Sequence, residues 1–205
     1  MIQGRVLVTG IRVIDLICPV PLGGSLAITG DEGSGVVAVT MEAMRNLCQR
    51  YRAKAICQVT PTEPFSELKV RAWVDKLRVG SFIKAIVVAN RAEVSIVNST
   101  AVVATLYPFA GSSVDSDAWV VLRRALFEAG RLPAVDLSES SSTLADEDPD
   151  QLAQRVKTEV ANGNAALREY LSQPFFVAEP WTSRSGEVTE REETLEHVQK
   201  LLVAN

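Results

Sequence analysis

Residues Gly23 to Leu47 read GGSLAITGDEGSGVVAVTMEAMRNL. An apolar run, Ser25 to Thr29, leads into the glycine-rich turn Gly30-Asp31-Glu32-Gly33-Ser34-Gly35, and a helix-period run follows from Val36 to Leu47. Strand, glycine loop, helix is the layout of a loop that cradles phosphate with its backbone N–H groups. The G-x-x-x-x-G spacing is intact at Gly30 and Gly35, but Val36 and Val37 stand where the motif needs Lys and then Ser or Thr. In a working loop the Lys neutralises the outer phosphates and the hydroxyl holds Mg²⁺. A charge-assisted hydrogen bond contributes roughly 1.5–3 kcal/mol, and losing one preorganised transition-state donor costs on the order of a hundred- to a thousand-fold in rate. Valine supplies neither charge nor oxygen, and Asp31 and Glu32 add negative charge beside the place a phosphate would take. The loop is therefore expected to be vestigial, a tight strand-to-helix turn holding an anion weakly through backbone amides and the helix N-terminus.

Working outward, Arg5 to Val8 reads as a short strand, and Ile11, Ile14 and Cys18 give one or two helical turns capped by Thr9. Asp15 on that helix is read as structural, paired with an Arg of a neighbouring segment. After the loop helix, Lys54 to Val59 and Ile83 to Ala89 read as buried strands, with a helical pattern from Phe65 to Leu77 between them. The third of these runs ends at Asn90, where a magnesium-side Asp would be usual, and Asn90 has no carboxylate. Ala101 to Tyr107 is a further strand, and Ala118 to Ala129 reads as an amphipathic helix closed by Gly130. Residues 131–150 read as loop, with the acidic group Asp146, Glu147, Asp148 and Asp150 capping the next helix. Gln151 to Ser172 reads as helical with an interruption at Asn162-Gly163-Asn164, Gln173 to Pro180 as extended, and Glu190 to Val203 as a last helix. Strands alternating with helices give an α/β fold, a mostly parallel sheet with helices on both faces. A single domain over 1–205 is expected, with an α/β core at 1–144 and C-terminal helices at 145–205 packed on it.

Composition narrows the function. At 205 residues, 47% hydrophobic and a net charge of -4, the chain has material for a real core and no basic excess to release counterions from nucleic acid. Small basic clusters such as Arg123-Arg124 fit solvated helix ends. The sole histidine, His197, lies on the terminal helix, which leaves no Ser-His or Cys-His nucleophile system. Cys18, Cys48 and Cys57 form no CxxC pair and read as buried, reduced thiols, implying a cytoplasmic setting. Arg5 and Arg12 interrupt the apolar start, and no run reaches the ~18 apolar residues of a membrane span, so neither a signal peptide nor membrane insertion is expected.

Several stretches, in order, resemble one family. Thr9 to Leu16 (TGIRVIDL) with the glycine loop, Leu126 to Ser142 (LFEAGRLPAVDLSESSS), Leu171 to Glu179 (LSQPFFVAE) and Glu192-Glu193-Thr194 are similar to segments of the nucleotide-binding domain of the rotary ATP synthase catalytic, or beta, subunit. The matches span less than half of the chain. The resemblance implies a P-loop NTPase-like fold and a base pocket formed by Leu132, Phe175 and Trp181, where the family encloses adenine between aromatics. It also implies what is lost. Val36 and Val37 replace the loop Lys and Thr, no strand-end Asp is present, and Thr143 stands where the family has an Arg. Glu63 lies near the place of the catalytic Glu but without its sequence context. The family's barrel domain and rotor-contacting helices have no counterpart here. The implied protein is a pseudoenzyme with no catalytic residues and no metal site. It would bind ATP or ADP weakly and without Mg²⁺, or not at all, and act as a homo-oligomer or beside another ATP-synthase-like subunit. The alternatives are an ATPase with a displaced lysine (Lys54, Lys69 or Lys84) and a small-anion or nucleotide sensor using the loop amides alone.

Overall fold

The computed structural model describes residues 6–21, 25–31, 33–36, 38–40, 42–43, 46, 54–59, 83–88, 101–107, 117–146, 151–173 and 189–203; for 54–59, 83–88 and 101–107 it describes the backbone only. These residues form a small α/β structure with a mixed sheet and flanking helices. Strand β1 (Val6–Leu7) pairs antiparallel with β2 (Val20–Pro21), and helix α1 (Arg12–Ile17) lies between them in the chain. Strand β3 (Ser25–Gly30) enters the glycine loop, and the described positions of 36–46 that follow are helical, here α2. Then come β4 (Lys54–Val59), β5 (Ile83–Val88), β6 (Ala101–Tyr107) and β7 (Ala118–Leu122). The last part of the chain holds α3 (Arg124–Glu128), β8 (Ser141–Ser142), α4 (Thr143–Asp146), α5 (Leu152–Ala161), α6 (Ala165–Leu171) and α7 (Arg191–Val203).

The main sheet runs β5-β4-β6-β3-β7-β8. Its first five strands are parallel, and β8 adds an antiparallel edge to β7. Strand β3 is central, flanked by β6 and β7. The runs KAICQV, IKAIVV and AVVATLY are apolar nearly throughout, the pattern typical of strands in parallel sheets.

Helix α1 sits at the middle of the core. Ile11, Ile14, Ile17 and Cys18 are fully buried, against Leu26 and Ile28 of β3, Val120 and Leu122 of β7, and Val156, Leu167 and Val198 of the later helices. Burying an Ile or Leu side chain contributes roughly 1.5–3 kcal/mol, so this short helix, marginal alone, is held by its packing.

Four sequence expectations change here. Ala118–Leu122 is strand, not the start of a helix. AWVVL is β-branched and aromatic, and pairing beside β3 buries four of its five residues. Only Arg124–Glu128 is helical, and Gly130, at φ +74°, does end it. Helix α1 is capped from Ile11, not by Thr9; Thr9 Oγ1 instead accepts from Ile11 N at 3.2 Å. Residues 131–150 contain β8 and α4 as well as loop. The acidic cap is also replaced: Gln151, in a left-handed conformation, is the N-cap of α5 and makes no side-chain cap bond, while Glu147, Asp148 and Asp150 lie outside the described residues. The break at 162–164 is as expected, with Gly163 at φ +97° and Asn164 Oδ1 capping α6 through Leu167 N at 3.1 Å.

Candidate functional site: the glycine loop and the cleft behind Leu132

Strand pairing builds the loop's surroundings. Gly30 is in register with Leu122 on the parallel strand β7, so the residues that follow, Asp31 and Arg123, leave the sheet side by side. Asp31 N donates to Leu122 O at 3.2 Å. Arg123 Nη1 reaches Asp31 Oδ1 at 3.2 Å, and the backbone N of Arg124 donates to Asp31 Oδ2 at 3.0 Å. The Asp31 carboxylate is thus held by one guanidinium and one backbone amide, the two kinds of donor that would otherwise grip an external anion.

Arg123 also donates to Glu139 Oε2 and lies 3.7 Å from Asp136 Oδ2. It is therefore a junction of three carboxylates, not the solvated helix end expected from sequence. Partial burial pulls its pKa down, but Glu139 and Asp31 outweigh that and hold it above the ordinary arginine value. Arg124 is exposed and pairs with Glu128 one helical turn on.

The rest of the loop is tight. Ser34 N and Ser34 Oγ both donate to Asp31 O, at 3.1 and 2.7 Å. Gly33 and Gly35 take φ of +78° and +88°, which favours glycine at both. A Cβ on Gly30 would lie 2.5 Å from Leu122 O and 2.7 Å from Ser34 Oγ, so glycine is required there for close approach of strand and turn. Val36 begins the helix, half-buried against the core. Glu32 and Val37 lie outside the described residues.

Strand β5, which precedes Asn90, lies at the sheet edge with β4 and β6 between it and β3. The immediate neighbours of β3 are β6 and β7, and the sequence of β6, AVVATLY, carries no carboxylate. Asn90 and Glu63 lie outside the described residues.

Two of the displaced lysines are also misplaced. Lys54 pairs with Ala101, two residues before the level of Ser25, whereas Gly30 lies at the other end of β3. At about 3.3 Å per residue the separation is on the order of 20 Å, far beyond a lysine side chain. Lys84 follows Ile83, the partner of Ala55, and shares that far end of the sheet. Lys69 lies outside the described residues.

Asp15 is fully buried. Its carboxylate accepts from Thr9 N and Thr9 Oγ1, both at 2.7 Å, and from Gly10 N at 2.9 Å. Burial raises its pKa from 3.8 to about 7, against those hydrogen bonds and the positive charge of Arg191. Arg191 is the arginine of a neighbouring segment, but its Nε donates to the backbone O of Asp15 at 3.1 Å. The role of Asp15 is thus to close the turn before α1. Gln173, also buried, ties the same turn to the later helices. Its Oε1 accepts from Arg12 N at 2.6 Å, and its Nε2 donates to Gly10 O and Thr189 Oγ1, each at 3.2 Å. Cys18 Sγ donates to Trp119 O at 3.4 Å, and burial pushes its pKa up to about 12, so this thiol is reduced and unreactive.

Of the expected base-pocket residues, Leu132 is described, and Phe175 and Trp181 lie outside the described residues. Leu132 precedes Pro133 through a cis peptide and lines a cleft of about 350 Å³ between the 131–138 segment and helices α5 and α6. Gln173 N and Ser172 Oγ both donate to Leu132 O, at 2.7 and 3.3 Å. Among the described residues no group of three or more metal-ligating side chains occurs, and no helix is long and apolar enough to cross a membrane.

No protein-family model matches the sequence.

Proposed function

We propose that this chain is a non-hydrolysing relative of the ATP synthase beta subunit's nucleotide-binding domain, with a P-loop NTPase-like fold that acts through binding and association. The observation that carries the reading is the Asp31 latch. A loop with phosphate-cradle spacing has Val36 at its helix start and holds its own carboxylate on Arg123 and the Arg124 amide. An internal anion at that position competes with a phosphate and repels it. The ordered family-like stretches support the same reading. The expected working state is a cytoplasmic self-assembly, or an assembly with another ATP-synthase-like subunit, with ATP or ADP bound weakly and independently of Mg²⁺.

Calorimetry with ATP and ADP, with and without Mg²⁺, tests this. Weak or undetectable binding that ignores Mg²⁺, without turnover, is expected. Tight Mg²⁺-dependent binding with ATP hydrolysis would overturn the proposal. Val36→Lys combined with Val37→Thr restores the missing groups and is expected to raise nucleotide affinity; no gain would mean that the loop is closed too tightly for those groups to matter.

A further inference from the structure

The cleft behind Leu132 has a composition that the loop chemistry does not use. Its walls are largely apolar, including Leu126, Leu132, Leu137 and Val160. Arg131, Lys157 and Arg168 contribute to its lining, against Asp136 as the single carboxylate. That carboxylate is already engaged, since Asp136 Oδ1 accepts from Ser138 N at 3.0 Å and Ser138 Oγ at 2.6 Å, and Oδ2 faces Arg123. Lys157 Nζ is directed to Ser140 O at 2.6 Å. Arg168 is different: its Nη2 donates to Val160 O at 3.0 Å, it lines the cleft, and no carboxylate pairs with it among the described residues. A half-buried guanidinium beside an apolar cleft without a counter-charge is a costly arrangement, and a bound carboxylate supplies that counter-charge.

We infer that this cleft binds a small amphipathic monocarboxylate, with its apolar chain against Leu126, Leu137 and Val160 and its carboxylate on Arg168. A volume of about 350 Å³ holds on the order of ten water-sized groups, which matches a medium-chain acid such as octanoate. A planar guanidinium without a carboxylate partner selects a carboxylate over a neutral head group. Asp136 at the cleft wall disfavours a ligand of higher negative charge.

The test is calorimetry of the full chain with octanoate below its micellar concentration, alongside 1-octanol and AMP. Octanoate is expected to bind and 1-octanol to bind at least tenfold more weakly. Arg168→Met is expected to weaken octanoate by about ten- to a hundred-fold, with Arg168→Lys recovering part of the loss. Val160→Trp, which fills the cleft without touching the charge, is expected to abolish binding; circular dichroism checks that each variant folds. Equal binding of octanol and octanoate, an Arg168→Met variant that binds octanoate unchanged, or displacement of octanoate by AMP would each overturn the assignment.

Discussion

Two aspartates, Asp15 and Asp31, do the same local job at two different turns. Each carboxylate accepts at least one backbone N–H and holds a loop closed. Asp15, in α1, is fully buried, with three donors at 2.9 Å or less. Asp31 is 39% exposed, and its arginine partner is 24% exposed. A fully buried, fully satisfied carboxylate is part of what folds the chain, because nothing replaces its bonds when it is removed. A half-exposed one is screened by water and contributes little stability. It is therefore free to govern what binds at the loop mouth.

A large effect is expected at the turn that Asp15 closes. Gln173→Ala removes the acceptor for Arg12 N and the donor to Gly10 O and Thr189 Oγ1; Gly10 O keeps the Thr189 N–H at 3.3 Å, so the cost is chiefly the lost partner of Arg12 N, at about 1–3 kcal/mol. Chemical denaturation should show a loss of about 2 kcal/mol. A loss below 1 kcal/mol would mean that the junction of α1 with the later helices is held by apolar packing alone.

The pH dependence sharpens the contrast next. Folded Asp15 keeps its proton up to about pH 7, whereas its ordinary value is 3.8. Between those values the folded chain binds more protons than the unfolded one, so the Asp15 contribution falls as pH rises and is flat above the folded pKa. The full effect is at most about 4 kcal/mol. Asp15→Asn lacks this titration but places a donor against Gly10 N. The stability advantage of the parent over Asp15→Asn should therefore be greatest near pH 4 and shrink toward pH 8. An advantage that grows with pH would show that the hydrogen bonds, not burial, set the charge of Asp15.

A smaller effect is expected where strand meets loop. Gly30→Ala places a methyl within 2.5 Å of Leu122 O, which forces β3 and β7 apart locally at about 1–3 kcal/mol. Thermal unfolding measures it. An unchanged midpoint would show that the loop is not as closely fitted as its geometry indicates.

Much of the fold was legible because buried parallel strands announce themselves: β3, β4, β5 and β6 were readable as apolar runs to within a residue. Strand β7 was not, because AWVVLRRALFEAG also carries a helical spacing. The deciding contact, pairing with β3, is ninety residues away in sequence. That one misreading hid Arg123, since an arginine at the end of a supposed helix face has no reason to meet Asp31. The β-branched pair Val120-Val121 after Trp119 was the available signal. Sheet order was not legible for a related reason: chain order does not reveal that β4 and β6 lie between β5 and β3. The absence of the motif's Lys and Ser or Thr was legible from Val36 and Val37 alone, but the turn of Asp31 onto Arg123 and the Arg124 amide was not. Leu132 was picked out through the family resemblance, whereas the cationic lining of its cleft comes from helices whose packing no local pattern reveals.

The measurement that bears most directly on the latch is an ADP titration, without Mg²⁺, of the parent chain and Asp31→Asn side by side. Asp31→Asn should lose less than about 1 kcal/mol of stability while freeing Arg123 and the Arg124 amide from a charged partner. The account predicts weak or undetectable binding to the parent and an affinity at least about tenfold higher in the variant. Equal affinity in the two chains would contradict it.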